Sequence, residues 1–300
     1  MTIREIYREY LQDLRQIYDA GEASVITDWV FEKTTGLQRS DIIKDPGQLL
    51  KPETLQHLNH CLAELVQHKP VQYVLGEAWF FRMKLSVNEN VLIPRPETEE
   101  LVQLAIDDCL KVMDDRNSSL TAQRSGNEEQ LSGIDIGTGS GCIAIALKKN
   151  LPRALIHAID ISAGALSVAK ENAVQQRAKI EFLLLDFLAE DHWNRLPVFD
   201  VIISNPPYIP LNEKDKLDKN VAAFEPPAAL FVPDDTPLLF YQKIADFGKK
   251  HLHKNGKIYV EMHEDFAKAT AELFERSYTV EVKKDVFGKE RMLVASFRDL

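Results

Sequence analysis

Cysteine is scarce in this sequence: the 300 residues contain only Cys61, Cys109 and Cys142. Their number is odd and no two have the CxxC spacing of redox or zinc motifs, which argues against a disulfide framework and against a metal site. Because disulfides persist mainly in oxidising compartments, we expect reduced thiols in the core of a cytosolic protein.

Positive charge and long apolar runs are also lacking. The chain has 36 Lys and Arg residues against 46 Asp and Glu residues, a formal net charge of −10. A general affinity for nucleic acid requires clustered Lys and Arg, so we expect no direct nucleic-acid partner. No apolar run approaches the ~20 residues that span a bilayer, and the start, MTIREIYREYLQDL, is amphipathic and unlike a signal peptide. These features predict a cytoplasmic protein without a membrane partner.

Residues 1–75 have the apolar periodicity of helices. Gly36 is placed to end one helix, and Pro52 is placed to begin another. We find no catalytic constellation in this segment and predict a small all-α bundle that docks the substrate. The apolar face of its first helix comprises Ile3, Ile6, Tyr7, Tyr10, Leu11 and Leu14.

In residues 76–94 the apolar residues no longer follow the helical periodicity of residues 1–75. The stretch KLSVNENVLI alternates around Asn88-Glu89-Asn90 and predicts a hairpin linker. A helix follows, with Pro96 near its start and acidic residues in its first turn, where the helix dipole favours carboxylates. The polar stretch 114–132 is rich in helix breakers and predicts a mobile surface loop.

Strand and helix patterns alternate from Gly133 onward, within a predicted second domain of residues 95–300. GIDI, LIHAID, IEFLLLD and FDVIIS are strand-like, and helix patterns separate several of them. This order favours an α/β fold with a doubly wound, mostly parallel sheet. The last two strands surround Gly288 and predict an antiparallel C-terminal hairpin at the edge of that sheet.

A glycine-rich loop follows the first strand, in GIDIGTGSGCIAIAL. Glycines between a strand and a helix allow a tight turn and let backbone N–H groups approach a ligand. No Gly-Lys-Ser/Thr follows, which excludes a Walker loop. The candidate cofactor-binding residues in this loop are Gly137, Thr138, Gly139, Ser140 and Gly141.

Acidic residues end the next two strands. Asp160 lies 23 positions after Gly137, where an acid that binds ribose is expected; an ordinary helix N-cap is the alternative. Asp186 could accept from an adenine amino group and Phe187 could stack on the ring, or they could cap a turn and fill the core. Both nicotinamide cofactors and S-adenosylmethionine bind to sites with this arrangement of a glycine loop and acidic residues at the ends of strands.

The fourth strand ends in SNPPYIP, at the edge of the sheet where α/β proteins bind ligands. An amide or aromatic NH2 is a poor nucleophile, because its nitrogen lone pair is delocalised. The Asn205 side-chain oxygen and the Pro206 carbonyl could hold both of its hydrogens and stabilise charge that develops on nitrogen. Pro207 stiffens the backbone, and Tyr208 could pack on the flat substrate group. A proline-stiffened turn with a core tyrosine is the alternative interpretation.

Several motifs together resemble one family. These are residues 70–102, which include LIPRPETE, then DIGTGSG, DIS, SNPPYIP, FEPPAAL and FGKERML. Over about residues 70–300 the sequence is similar to the protein-(glutamine-N5) methyltransferases of peptide chain release factors, the HemK/PrmC type. The resemblance implies a Rossmann-like methyltransferase domain preceded by a helical domain.

The resemblance also implies functional roles. S-adenosylmethionine is expected on the GTGSG loop, Asp160, Phe187 and Asn205, and the glutamine of the GGQ loop of class 1 release factors is expected on NPPY. Arg95 and Glu97 would form a wall of the active site, or they could belong simply to a capped helix start. The sequence departs from the family after EPPAAL, where FVPDDTPL replaces a Gly-Gly-x-x-Gly stretch, and at Phe187, where some members have Trp.

Two other functions remain open from the sequence. DNA and RNA amino-methyltransferases share NPPY, although they normally require a basic channel and a region that recognises the flipped base. A non-catalytic scaffold with a vestigial nucleotide fold is the other alternative, and the intact glycines, Asp160 and NPPY argue against it.

Overall fold

The computed structural model describes residues 1–119 and 130–298, with side chains described outside 114–129. The chain forms two compact units, here called the helical unit and the sheet unit. The helical unit comprises Met1–Glu77 and Leu217–Phe224, and the sheet unit comprises Ala78–Lys216 and Glu225–Leu300. The boundaries predicted from the sequence lie after residues 75 and 94, and the prediction does not group residues 217–224 with the N-terminal helices.

The helical unit is built around the predicted apolar face of its first helix. Every member of that face is buried except Leu11, which is half-buried. Gly36 ends the second helix in the left-handed conformation with φ 74°, and Pro52 begins the fourth, as predicted. The helices are α1 (Ile3–Leu14), α2 (Ala20–Thr35), α3 (Arg39–Lys44), α4 (Pro52–Leu65), α5 (Val71–Leu75) and α9 (Lys219–Phe224).

A hairpin lies within residues 76–94, but the predicted pairing of KLSVNENVLI around a turn at Asn88–Asn90 is wrong. The strands are β1 (Glu77–Phe80) and β2 (Met83–Ser86), and the turn is at Phe81 and Arg82, with φ of 50° and 59°. Two consecutive residues with positive φ suit the twist of a hairpin. The Glu99 carboxylate accepts from the Phe81 N–H at 2.8 Å, a tertiary contact that helps to hold this turn.

The predicted loop at 114–132 is wrong at both ends. Helix α6 (Pro96–Ser119) continues through residue 119, and Ser132 begins the next strand. No Gly or Pro interrupts residues 114–119, and extending an existing helix costs much less than starting one. Residues 120–129 lie outside the described residues.

A seven-stranded sheet organises the sheet unit, in the order β10-β11-β9-β6-β3-β4-β5. Its strands are β3 (Ser132–Ile136), β4 (Leu155–Asp160), β5 (Glu181–Leu184), β6 (Phe199–Ser204), β9 (Leu252–Glu261), β10 (Tyr278–Lys284) and β11 (Glu290–Phe297). The strands from β9 to β5 in this order are mutually parallel. β11 is antiparallel to both β9 and β10, so the antiparallel strand of the terminal hairpin lies inside the sheet and β10 forms its edge.

Helices cover both faces of this sheet. Val201 and Ile203 of β6 belong to one apolar cluster, whereas Ile202 between them belongs to the other. The remaining helices are α7 (Cys142–Asn150), α8 (Ala163–Gln175), α10 (Pro227–Leu230), α11 (Leu239–His251) and α12 (Ala267–Glu275). A short parallel pair joins β7 (Ile209–Pro210) to β8 (Phe231–Val232), and 3-10 helices span Glu190–Arg195, Leu211–Lys216 and Glu264–Phe266. The predicted doubly wound α/β fold is confirmed.

The strand order reverses at β3, which has β4 on one side and β6 on the other. Ligands of open α/β sheets bind at the carboxyl ends of the strands beside such a reversal. The three cysteines are buried free thiols. Within the described part of the chain, no helix has both the length and the apolar character needed to cross a membrane.

Candidate active site

The glycine loop leaves β3 beside the segment that leaves β6. Ile136 and Ser204, the last residues of these strands, are register partners, and the Ser204 hydroxyl donates to the Ile136 carbonyl at 2.7 Å. The register therefore brings Gly137 and Asn205 to the same edge of the sheet, where the sequence analysis expected both.

The three glycines of the loop all have positive φ. Gly137, Gly139 and Gly141 have φ of 74°, 53° and 82°. A Cβ at Gly137 or Gly139 would have no other atom within 4 Å, whereas at Gly141 it would meet the Ala169 Cβ at 3.1 Å. Gly141 thus permits close packing of helices, and the first two glycines leave free space beside their backbone. That space fits a ligand that approaches the loop closely.

Asp160 contributes a half-buried carboxylate next to this loop. Its Oδ2 accepts from the Gly139 N–H at 2.9 Å, and its Oδ1 accepts from the Ser162 N–H at 2.8 Å. Burial raises the pKa of Asp160, while these two N–H groups lower it. The N-cap of α8 is Ser162, so the helix-cap interpretation does not describe Asp160. Each oxygen of a carboxylate can accept a second hydrogen bond, which leaves capacity for two ligand hydroxyls.

Asp135, the next-to-last residue of β3, is a buried acid that the sequence did not single out. Its Oδ2 accepts from the Thr138 hydroxyl at 2.6 Å and from the Ala144 N–H at 3.2 Å. Burial raises the pKa of Asp135 to about 7, against the hydrogen bonds from Thr138 and Ala144. The other oxygen, Oδ1, and the buried Ser140 hydroxyl have no partner among the described residues. Buried polar atoms without partners fit a site that holds a polar ligand.

The NPPY segment is anchored through its side chains. The Asn205 Nδ2 donates to the Thr98 hydroxyl at 3.0 Å, and the Tyr208 hydroxyl donates to the Glu261 carboxylate at 3.2 Å. Among the described residues, neither the Asn205 side-chain oxygen nor the Pro206 carbonyl accepts a hydrogen bond. Two acceptors on consecutive residues are therefore available beside the glycine loop.

Comparison with known proteins decides the family. The Methyltransferase small domain family matches residues 112–224, and the PrmC N-terminal domain family matches residues 5–76. The release factor glutamine methyltransferase of Flavobacterium psychrophilum is 40% identical over 300 residues, which cover 99% of this chain and 100% of that protein. The chain belongs to the release factor glutamine methyltransferase family.

One further relative agrees with this family, and one solved structure agrees with the fold. The release factor glutamine methyltransferase of Bacteroides thetaiotaomicron is 36% identical over 287 residues, 95% of this chain and 96% of that protein. The solved catalytic domain of hMettl16, in complex with MAT2A 3'UTR hairpin 6, has a TM-score of 0.51 at 16% identity and covers 83% of each chain. At that identity the second likeness shows the fold alone, a Rossmann-like methyltransferase.

Two motifs that carried the resemblance meet at an ion pair between the half-buried Arg95 and the buried Glu225. The Arg95 guanidinium of LIPRPETE contacts the Glu225 carboxylate of FEPPAAL at 2.5 Å, and the other oxygen of Glu225 accepts from the Ile93 N–H at 3.2 Å. Burial raises the pKa of Glu225, and the Arg95 charge lowers it. Arg95 therefore has a structural partner that sequence reasoning missed, although both residues lie in motifs that carried the resemblance.

The contacts of Asp186 and Phe187 fit the alternative interpretation of the sequence, in which Asp186 caps a turn and Phe187 fills the core. The Asp186 carboxylate accepts from the Leu188 N–H at 2.9 Å, as in a capped turn. The buried Phe187 ring stacks on Trp193, with centroids 5.6 Å apart, within an apolar cluster. Adenine binding by either residue stays a prediction for this member of the family.

A buried asparagine, Asn172 of α8, ties the hairpin to the glycine loop. Its Nδ2 donates to the carbonyls of Ser86 and Ser140, both at 2.9 Å, and its Oδ1 accepts from the Ser86 N–H at 2.6 Å. Sequence reasoning missed Asn172, because a single Asn inside a helical pattern carries no recognisable motif.

Proposed function

We propose that this chain transfers a methyl group from S-adenosylmethionine to the N5 side-chain amide nitrogen of the glutamine in the GGQ motif of class 1 peptide chain release factors. Membership of the family supports this reaction. The observation that carries it is the pair of acceptors without internal partners, the Asn205 oxygen and the Pro206 carbonyl, beside the open glycine loop. We expect the reaction in the cytoplasm, without a nucleic-acid or membrane partner.

Residues at the edge of the sheet would hold S-adenosylmethionine. Backbone N–H groups of residues 137–141 would face it, and the Asp160 carboxylate would accept from its ribose hydroxyls. Asp186 and Phe187 are the candidates for its adenine. Bound there, it supplies an electrophilic methyl group on a positively charged sulfur.

The chain's own contribution is to hold a poor nucleophile in one orientation. The Asn205 oxygen and the Pro206 carbonyl would each accept one hydrogen of the glutamine amide, which fixes the plane of its nitrogen. The same two acceptors stabilise the positive charge that develops on that nitrogen. The ring of Tyr208 would pack on the flat amide, while its hydroxyl stays bonded to Glu261.

The function is tested by mass spectrometry of an unmethylated class 1 release factor after incubation with the protein and S-adenosylmethionine. We expect one added methyl group on the glutamine of the GGQ peptide, and none on a release factor in which that glutamine is replaced by alanine. Parallel reactions with labelled S-adenosylmethionine and DNA or RNA test the alternative. Label in nucleic acid and none in the release factor would reject the proposal.

The helical unit is the candidate docking surface for the release factor. It carries two exposed apolar side chains one turn apart on α2, Val25 at 47% exposure and Trp29 at 45%. Exposed tryptophans often anchor protein interfaces, where truncation costs about 2 kcal/mol or more. Because Trp29 belongs to a unit without catalytic chemistry, its contact with a release factor would contribute binding and leave the chemical step unchanged.

The variant Trp29→Ala tests this docking role. We expect kcat/KM for the intact release factor to fall about 10-fold or more, while methylation of a short GGQ peptide proceeds at the normal rate. Val174→Ala, which truncates another exposed apolar side chain on α8, is the control and should change neither value. Equal losses on the intact factor and on the peptide would contradict docking through Trp29.

A further inference from the structure

A buried chain of hydrogen bonds runs behind the acceptor pair of the active site. The Asn205 Nδ2 donates to the Thr98 hydroxyl at 3.0 Å, and that hydroxyl donates to Glu261 Oε2 at 2.6 Å. The other oxygen, Oε1, accepts from the Tyr208 hydroxyl at 3.2 Å. Thr98 and Glu261 are both buried, and they come from α6 and from the end of β9. One carboxylate thus connects the two ends of the NPPY motif.

The direction of these hydrogen bonds, from donor to acceptor, follows from the hydrogens that each group can donate. Glu261 accepts from the hydroxyls of both Thr98 and Tyr208, and the Thr98 hydroxyl has a single hydrogen. Since Glu261 takes that hydrogen, the Thr98 oxygen can only accept from the Asn205 amide. The amide nitrogen must then point to Thr98, and its oxygen must point away. The opposite orientation would set the Asn205 oxygen against the Thr98 oxygen, with no hydrogen between them.

We propose that Thr98 and Glu261 are positioning residues that determine which end of the Asn205 amide faces the substrate. This inference rests on the proposed function, in which the Asn205 oxygen must accept from the substrate amide. The two ends of a side-chain amide are nearly identical in shape, so packing alone distinguishes them poorly. A free Asn205 could turn its NH2 toward the substrate NH2, where two donors would oppose each other.

The surroundings of Glu261 suit a fixed acceptor. Its backbone carbonyl accepts from the Tyr241 hydroxyl at 3.3 Å, and its neighbour Met262 donates its N–H to the Arg291 carbonyl at 2.8 Å. Burial raises the pKa of Glu261, while the hydroxyls of Thr98 and Tyr208 lower it. Burying a carboxylate is unfavourable unless its hydrogen-bonding capacity is met. These two hydroxyls meet that need and at the same time hold both ends of NPPY.

Substitutions at Thr98 separate positioning from packing. Thr98→Val keeps the volume of the side chain and removes the hydroxyl, whereas Thr98→Ser keeps the hydroxyl and removes a methyl group. Thr270→Val is a matched control, because Thr270 is also buried in the sheet unit and its hydroxyl has no partner among the described residues. A role in packing alone predicts a larger effect for Thr98→Ser than for Thr98→Val.

The first measurement is single-turnover methyl transfer at saturating release factor and S-adenosylmethionine. We expect Thr98→Val to lower the rate about 10–100-fold, the usual cost of losing a group that orients a functional side chain. Thr98→Ser should recover most of the rate, Thr270→Val should retain it, and the affinity for release factor should stay constant. A normal rate in Thr98→Val, or a rate lowered equally in Thr98→Ser, would overturn the proposal.

The second measurement does not depend on the reaction. In protein labelled with nitrogen-15 at asparagine, the side-chain NH2 of Asn205 is identified by its loss in Asn205→Ala. We expect its hydrogens to exchange slowly with solvent in the wild type and in Thr98→Ser, and faster in Thr98→Val. If the wild-type protein shows this exchange pattern but transfers no methyl group, the proposed function is rejected and the positioning role of Thr98 and Glu261 is retained. Equal exchange in all three proteins would reject that positioning role.

Discussion

The helical unit and the sheet unit differ in what they bury. Among the residues that the structure describes, Thr27 is the polar side chain buried in the helical unit, and its hydroxyl donates to the Ala23 carbonyl at 2.7 Å. The sheet unit buries several carboxylates together with polar groups of the glycine loop. The buried carboxylates are those of Asp135, Glu225, Glu261 and Asp285.

This difference shows that the groups that stabilise the fold are not the groups that the proposed chemistry needs. Apolar burial stabilises a fold without demanding partners, whereas a buried carboxylate needs a hydrogen bond or an opposite charge for each oxygen. Three of these acids, Asp135, Glu225 and Glu261, contact segments that the sequence analysis placed at the active site. Among the described residues, the helical unit buries no carboxylate; its proposed role is to dock the substrate.

The largest expected effect tests the apolar core of the helical unit. The Phe31 ring is buried and lies 5.1 Å from the Tyr7 ring and 5.4 Å from the Tyr10 ring, centroid to centroid. Phe31→Ala should lower the free energy of unfolding of this unit by about 3–5 kcal/mol. The affinity for S-adenosylmethionine, measured by calorimetry, should stay unchanged in the folded variant. A large loss of that affinity would contradict the assignment of cofactor binding to the sheet unit alone.

The next effect tests the buried acids of the sheet unit. Asp135 has its pKa raised from 3.8 to about 7 in the folded protein. A raised pKa means that the folded state binds the proton more tightly, so the stability that Asp135 contributes is full below pH about 4 and is lost as the pH rises through about 7. This loss is about 4 kcal/mol for one such group. Asp135→Asn should remove it, as measured by denaturant unfolding of the free protein from pH 4 to pH 8.

Asp285 provides a control of opposite sign. Burial raises the pKa of Asp285, but N–H groups of Lys289 and Phe287 and the Arg291 charge outweigh it and hold that pKa below its ordinary value. Its contribution to stability is therefore present above the pKa of the unfolded state and lost as the pH falls through the folded value. Asp285→Asn should leave the loss between pH 4 and 7 in place, and a flattened profile would contradict the assignment to Asp135.

A somewhat smaller change, in the activation free energy of methyl transfer, is expected when Asn205 is substituted. In the proposed site, Asn205→Ala would remove one of the two acceptors for the substrate amide, while the Pro206 carbonyl and the remaining contacts with the release factor would be kept. Loss of one preorganised hydrogen-bond partner costs about 10²–10³ in rate, so we expect that fall in kcat with little change in binding. Single-turnover methyl transfer measures it, and a normal rate would leave Asn205 as a turn residue.

The smallest of these effects is expected at Asp160. In the proposed cofactor site, Asp160→Ala would remove the acceptors for two ribose hydroxyls and should weaken S-adenosylmethionine binding at least about tenfold. Asp13→Ala, which removes an exposed acid from the helical unit, should leave the affinity unchanged. Equal calorimetric affinities for folded Asp160→Ala and the wild type would reject the assignment of Asp160 to the cofactor.

The sequence predicted the local features of the sheet unit well. The glycines between β3 and α7, the acid after β4 and the prolines after β6 are short motifs whose geometry depends on neighbouring residues. The alternation of strand and helix patterns also predicted a parallel sheet, because both periods arise from local backbone geometry. The turn at Phe81 and Arg82 escaped prediction, because bulky residues rarely adopt positive φ without tertiary support such as the contact from Glu99.

By itself, the sequence determined the family, the doubly wound fold and the segments that gather at the edge of the sheet, because these depend on local periodicity and short motifs. Only the tertiary structure decided which distant groups hold those segments. Thr98 meets Glu261 across 163 positions of the chain, and Arg95 meets Glu225 across 130. Such pairs depend on the order of strands and on the end of each helix, and a single sequence carries no local signal for a bond between two buried side chains that far apart.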